Sequence, residues 1–269
     1  MPFLNHAAAK LHYQVIGSGP KVLLAFHGYG QDSHHFGSIG EVLGDDYTIY
    51  AFDLFFHGKS ALPKNQVPLQ KQLLAVLIEQ LLEKEQIERF SVMGFSMGGK
   101  FALSLTESFP EKMDALFLIA PDGIGTSFWY NVATYPGWLQ GLFKQTVLKP
   151  KPFFRMVNIL HYTNVVDKSL LRFTRGQMNS LQNRLRVYRS WVAFRELTFD
   201  IRKIISLLNL HHIPVTVFLG QYDKVIPRRR LQVFLKALAK GSLIILEAGH
   251  SRLLPEVALY LHKHHLPKP

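Results

Sequence analysis

The hexapeptide Gly94-Phe95-Ser96-Met97-Gly98-Gly99 directly follows an apolar strand pattern, Phe90 to Met93, and directly precedes a helical one, Lys100 to Phe109. A chain that passes from strand to helix within so few residues must force the serine into a strained backbone. Glycines two positions to either side leave room for the turn. The hydroxyl is thereby pushed out beyond the end of a sheet. The same turn aims the Met97 N–H and the positive end of the following helix at one point.

The remainder of the chain reads as the sheet this turn requires. Short apolar runs at Lys21–Phe26, Tyr47–Asp53, Arg89–Phe95 and Met113–Ala120 are separated by turn signals and helical patterns, as in a mostly parallel sheet flanked by helices. Between the second and third runs, Leu69, Leu73, Val76, Leu77 and Leu81 recur at helical spacing behind Pro68, which predicts a crossover helix. Further strands are predicted at Ile213–Gly220 and Ser242–Glu247, with helices beginning near Pro227 and running from Leu253 to His262. Residues 122–205 read differently. Met178, Leu181, Leu185, Tyr188 and Val192 follow a three-four spacing and no strand pattern interrupts them. The predicted organisation is an α/β core at 1–121 and 206–269 with a helical insertion at 122–205.

A serine hydroxyl is a poor nucleophile at neutral pH. It needs a base, and the base needs an orienting carboxylate. His250, in Glu247-Ala248-Gly249-His250, and Asp223, in Gly220-Gln221-Tyr222-Asp223, each follow a strand, at the edge where open α/β sheets bind ligands. Asp122, which also follows a strand, is the rival acid. Tyr29, in the His27-Gly28-Tyr29-Gly30 turn after the first strand, offers a second N–H beside that of Met97 for an oxyanion, each donor being worth about 10²–10³ in rate. His27 reads as a packed, hydrogen-bonded residue beneath the site.

The His27-Gly28 turn, the segment from Asp53 to Ser60, the Ser96 turn, Asp223 and His250 together resemble the α/β-hydrolase superfamily over residues 11–262 apart from the insertion. The resemblance implies Ser96 as nucleophile, Asp223 as acid, His250 as base, Met97 and Tyr29 as oxyanion donors, and a helical lid at 122–205. Phe56 stands where that family's segment often carries glycine. A serine at 96, where epoxide-opening and halide-displacing relatives use aspartate, points away from those reactions.

Charge narrows the partner. The formal net charge is +12, and residues 122–205 hold thirteen Lys and Arg against four Asp and Glu, most of that excess. Arg184, Arg186, Arg189 and Arg195 flank an apolar helical stripe, which suits a solvated face or the reception of an anionic group. Phe128, Trp129 and Tyr130 begin an aromatic-rich stretch fit to pack the insertion or to line an apolar acyl site. Phe128, Trp129, Tyr130, Arg184 and Arg189 are therefore the candidate substrate-binding residues. The partner expected is a small or acyl substrate, anionic or borne by an acidic carrier protein. Nucleic acid is not expected, because no helix-turn-helix, finger or stacking sheet accompanies the charge.

There is no cysteine, which excludes disulfides and a thiolate nucleophile. The paired and terminal histidines lack the carboxylate or thiolate company of a metal site, so neither metal nor cofactor is expected. No apolar run approaches the length of a membrane span, and Met1 to Lys10 does not read as a secretory signal, so cytoplasmic residence is the expectation. The function expected is hydrolysis of a carboxylic ester through an acyl-enzyme. Thioester or carbon–carbon hydrolysis, lyase chemistry on an anionic substrate and catalytically idle ligand binding are the alternatives.

Overall fold

A computed structural model describes residues 2–125, 179–223, 225–226 and 228–264, together with residues 144, 145, 147, 149, 151, 152, 155 and 176. The strands are β1 (Phe3–His6), β2 (Ala9–Ile16), β3 (Lys21–Phe26), β4 (Tyr47–Phe52), β5 (Phe90–Phe95), β6 (Met113–Ile119), β7 (Val215–Gly220) and β8 (Gly241–Leu246). They form one eight-stranded sheet in the order β1-β2-β4-β3-β5-β6-β7-β8. The β1/β2 and β2/β4 pairs are antiparallel, and every pair from β4 to β8 is parallel.

The parallel strands read as near-continuous apolar runs because they are covered on both faces. All six residues of β5 are buried, as are the last four of β3 and the last five of β6. Helices with described bounds are α1 (Gly37–Leu43), α2 (Lys71–Lys84), α3 (Gly98–Ser108), α4 (Leu181–Ala193), α5 (Ile201–Leu210), α6 (Arg228–Lys236) and α7 (Leu253–His264). The fold is therefore α/β, with a mostly parallel central sheet flanked by helices.

Two differences from the sequence expectation have physical causes. The β1/β2 hairpin lay outside the runs read as strands, because β1 is only four residues with Leu4 alone buried and β2 carries an alternating pattern, not the continuous apolar run that marks the central strands. In α2 the buried residues are Leu74, Leu77, Ile78, Leu81 and Leu82. The helix is where the pattern placed it, but its inward face is rotated from Leu73 and Val76 toward Leu74 and Ile78.

The chain divides into two compact units. The first comprises residues 1–66, 70–125 and 197–269, and the second 67–69 and 126–196. Residues 197–205, assigned to the insertion from sequence, lie in the first unit, and α5 packs on α3 there. In the second unit α4 starts at Ser180, whose side chain accepts from the Asn183 N–H. Its buried residues are Val187, Ser190 and Ala193. No helix among the described residues is long and apolar enough to cross a membrane.

Candidate active site

Three side chains from the ends of three parallel strands meet in the first unit. Ser96 follows β5 with φ +49°, in the left-handed region that residues other than glycine rarely adopt. Close packing around the turn holds it there. A Cβ on Gly98 would strike the Phe26 carbonyl, and one on Gly94 would lie 2.7 Å from the Gly98 carbonyl. The Ser96 N–H donates to Ile119 O (2.9 Å), and the Ser96 carbonyl accepts from the Gly99 N–H (2.9 Å) and the Asp122 N–H (2.8 Å).

His250 opens a short 3-10 turn, His250–Arg252, beyond β8. Its Nε2 lies 3.0 Å from Ser96 Oγ, and its Nδ1 lies 2.7 Å from Asp223 Oδ2. A carboxylate only accepts, so Nδ1 carries the proton and Nε2 presents its lone pair to the serine hydroxyl. The Asp223 side chain is 1% exposed and that of His250 is 14%. Asp223 Oδ1 is held separately by the N–H groups of Val225 (2.8 Å) and Ile226 (3.3 Å). The Phe95 ring packs 5.3 Å from the imidazole. Asp122, the rival acid, is turned elsewhere: its Oδ1 accepts from the Gly123 N–H and its Oδ2 lies 3.8 Å from Lys100 Nζ.

Beside the serine, Met97 has helical angles (φ −55°, ψ −32°) and heads α3, where unbonded N–H groups concentrate. Its N–H makes no hydrogen bond to the described residues. Tyr29 lies in the loop after β3, its ring edge-on to His57 at 5.3 Å. The neighbouring Gly28 N–H donates to Gln31 Oε1 (3.0 Å).

His27 braces this loop from below. Its Nδ1–H donates to Gly28 O (2.7 Å), and its Nε2 accepts from the Leu54 N–H (3.0 Å). Complete burial, aided by nearby His57, pushes its pKa down to about 3 and keeps it neutral. Asp53 performs the same office at the end of β4. Burial alone would raise its pKa, but the N–H groups of Lys59 and Ser33 (2.8 Å each) and adjacent His12 (2.8 Å) together hold it below the usual carboxylate range. Phe56 has φ +67°, so the residue replacing a common glycine keeps a backbone that glycine favours.

Phe128, Trp129 and Tyr130 lie outside the described residues. Arg184 and Arg189 stand on α4 in the second unit. Arg184 Nε donates to Val147 O (2.7 Å), and Arg189 is exposed. Among the described residues no cluster of three His, Asp or Glu could hold a metal ion. Lys100, buried in the first turn of α3, was not singled out by sequence reasoning, because a lysine in a helical pattern reads as solvated.

The family described as the α/β-hydrolase fold matches residues 21–256. The chain belongs to the α/β-hydrolase family. A relative within it, the uncharacterized hydrolase YugF of Bacillus subtilis, is 25% identical over 227 residues, covering 80% of this chain and 77% of the relative. An uncharacterized protein of Mycobacterium tuberculosis is 32% identical over 112 residues, 42% of this chain, and the match spans only 32% of that relative's length. Among solved α/β-hydrolases, a thermophilic esterase from Thermogutta terrifontis superposes with a TM-score of 0.68 at 16% identity, covering 97% of this chain and 96% of its own. The enol-lactonase of Burkholderia xenovorans superposes at 0.64 with 18% identity over 97% of each chain. At such identities the two structures attest the shared fold.

Proposed function

We propose that this α/β-hydrolase cleaves a carboxylic ester through an acyl-enzyme on Ser96. The observation that carries the reading is the unbroken relay from Asp223 Oδ2 through both ring nitrogens of His250 to Ser96 Oγ, at 2.7 and 3.0 Å. His250 takes the hydroxyl proton as Ser96 attacks the carbonyl and returns it to the leaving alcohol. It then takes a proton from water for deacylation. Asp223 fixes the tautomer and stabilises the imidazolium. The N–H groups of Met97 and Tyr29 bind the oxyanion, and α3 adds the positive end of its dipole.

Ester hydrolysis is preferred to catalytically idle binding because a receptor has no use for a base held by a buried carboxylate. The second unit serves as the lid in this reading. Its eleven Lys and Arg against two Asp and Glu favour an acyl group that bears, or is carried by, negative charge.

The test is a panel of p-nitrophenyl esters of increasing acyl length, with and without a terminal carboxylate, assayed on wild type and Ser96→Ala at low ionic strength. Turnover that vanishes in Ser96→Ala, together with a fluorophosphonate adduct confined to wild type, is the expected outcome. Equal turnover by both proteins would end the proposal. Indifference to the terminal carboxylate would remove the anionic-substrate clause alone.

A further inference from the structure

Lys100 stands where a charge is expensive twice over. Its side chain is 1% exposed, so the ammonium has surrendered most of its water. It also occupies the first turn of α3, where the helix presents its own positive end and a cation is disfavoured. Burial draws its pKa below that of a free lysine, and nearby Asp122 partly opposes this. A methionine would fill comparable space at neither cost. A buried charge in such a place needs a use that an apolar side chain could not supply.

The surroundings show what the charge reaches. Lys100 Nζ lies 3.8 Å from Asp122 Oδ2, and the Asp122 N–H donates to the Ser96 carbonyl at 2.8 Å. Asp122 belongs to the turn that leaves β6, in which Ala120 (φ +40°) and Gly123 (φ +106°) both take left-handed backbone. This turn lies directly on the first turn of α3. A Cβ on Gly99 would come within 2.7 Å of the Asp122 carbonyl, and one on Gly123 within 3.4 Å of Lys100 Cγ. The strained serine is thus tied to β6 at its N–H through Ile119 and at its carbonyl through Asp122.

Resting on the reading of Ser96 as nucleophile, we infer that Lys100 is a positioning residue: its ion pair with Asp122 fixes the turn after β6 against α3. The Asp122 N–H then holds the Ser96 carbonyl, so that Ser96 Oγ faces His250 and the Met97 N–H faces the oxyanion. In this role Lys100 acts through the Asp122 peptide and not on the reacting atoms. Its removal loosens the peptide that joins nucleophile to oxyanion donor, a fault felt in the rate of acylation and not in ground-state binding.

The experiment compares wild type, Lys100→Met, Asp122→Asn, the double variant and Ser96→Ala. Fluorophosphonate labelling rate and steady-state hydrolysis of a p-nitrophenyl ester are measured, and circular dichroism verifies folding. Lys100→Met is expected to lower the maximal labelling rate and kcat/KM by about 10- to 100-fold, with the fluorophosphonate concentration that half-saturates labelling unchanged. Asp122→Asn is expected to do likewise, and the double variant to be less than multiplicatively slower, because the two changes share the Lys100–Asp122 interaction. Labelling of Lys100→Met at the wild-type rate, effects that multiply in the double variant, or a loss that comes only from weaker saturation by the fluorophosphonate at an unchanged maximal labelling rate would each overturn the inference. If Lys100→Met does not fold, Asp122→Asn decides the matter: its side chain is one-third exposed, and wild-type labelling by that variant would refute the role. Wild type that fails to label would instead remove the reading of Ser96, and this inference with it.

Discussion

Asp223 divides its two oxygens between different tasks. Oδ1 is occupied by the Val225 and Ile226 N–H groups, which leaves Oδ2 aimed at His250 Nδ1 with little freedom to turn. Asp223→Asn would keep the shape and change the direction of the proton. Its amide donates where the carboxylate accepted, so the imidazole proton shifts to Nε2 and the base can no longer take the Ser96 proton. Steady-state kinetics should show kcat reduced roughly 10⁴-fold with the melting temperature little altered. A variant that kept most of its turnover would show that His250 is oriented by another group. From the sequence, Ser96, Asp223 and His250 could be picked out as candidates because each follows a strand and the three run in the order Ser, Asp, His of the α/β-hydrolases. The choice between Asp223 and Asp122 rests on geometry, since both follow strands. Lys100 could not be named at all: nothing in a helical pattern distinguishes a buried lysine from a solvated one until the turn after β6 is seen resting on α3.

The strand-to-helix element at β5 and α3 depends on side chains that are missing as much as on those present. Gly98 faces the end of β3 so closely that a methyl group would overlap the Phe26 carbonyl, and backbone cannot yield as a flexible side chain can. Gly98→Ala should therefore destabilise the protein by about 1–3 kcal/mol in urea unfolding and lower kcat by tilting the Ser96 turn. Unchanged values for both would mean that the elements part at little cost. The glycines were visible in sequence because their spacing about a serine is the signature of so sharp a turn. The central strands were visible for a different reason: β3 to β6 are largely buried on both faces and appear as near-continuous apolar runs, so their ends fell within a residue or two of the observed ones. The β1/β2 hairpin offered no such run. Its buried His12 is satisfied by Asp53, forty-one residues away, a pairing that no local pattern encodes.

At the scale of the whole molecule, the buried polar braces beneath the site make global stability depend on pH. His27 is neutral in the fold, with its pKa lowered to about 3, whereas in the unfolded chain it would titrate at its ordinary 6.5. As pH falls below 6.5 the unfolded chain takes up a proton that the folded chain refuses until about pH 3. Stability from this source is complete above the unfolded value and is lost as pH falls across that interval, at up to about 1.4 kcal/mol per pH unit. Asp53 acts in the same direction at the lower end: its pKa is depressed in the fold, so its contribution is present above the ordinary carboxylate value and disappears as acid protonates it. The two effects follow one another, His27 first and Asp53 after. Urea unfolding between pH 7 and 4 should therefore give a free energy that declines with acid, and His27→Gln should flatten the decline by roughly one proton's worth of slope. Gln lowers stability at pH 7 if it keeps only one of the two hydrogen bonds, but it cannot titrate. A pH slope identical in His27→Gln and wild type would show that the imidazole takes up its proton in the fold as readily as in the unfolded chain.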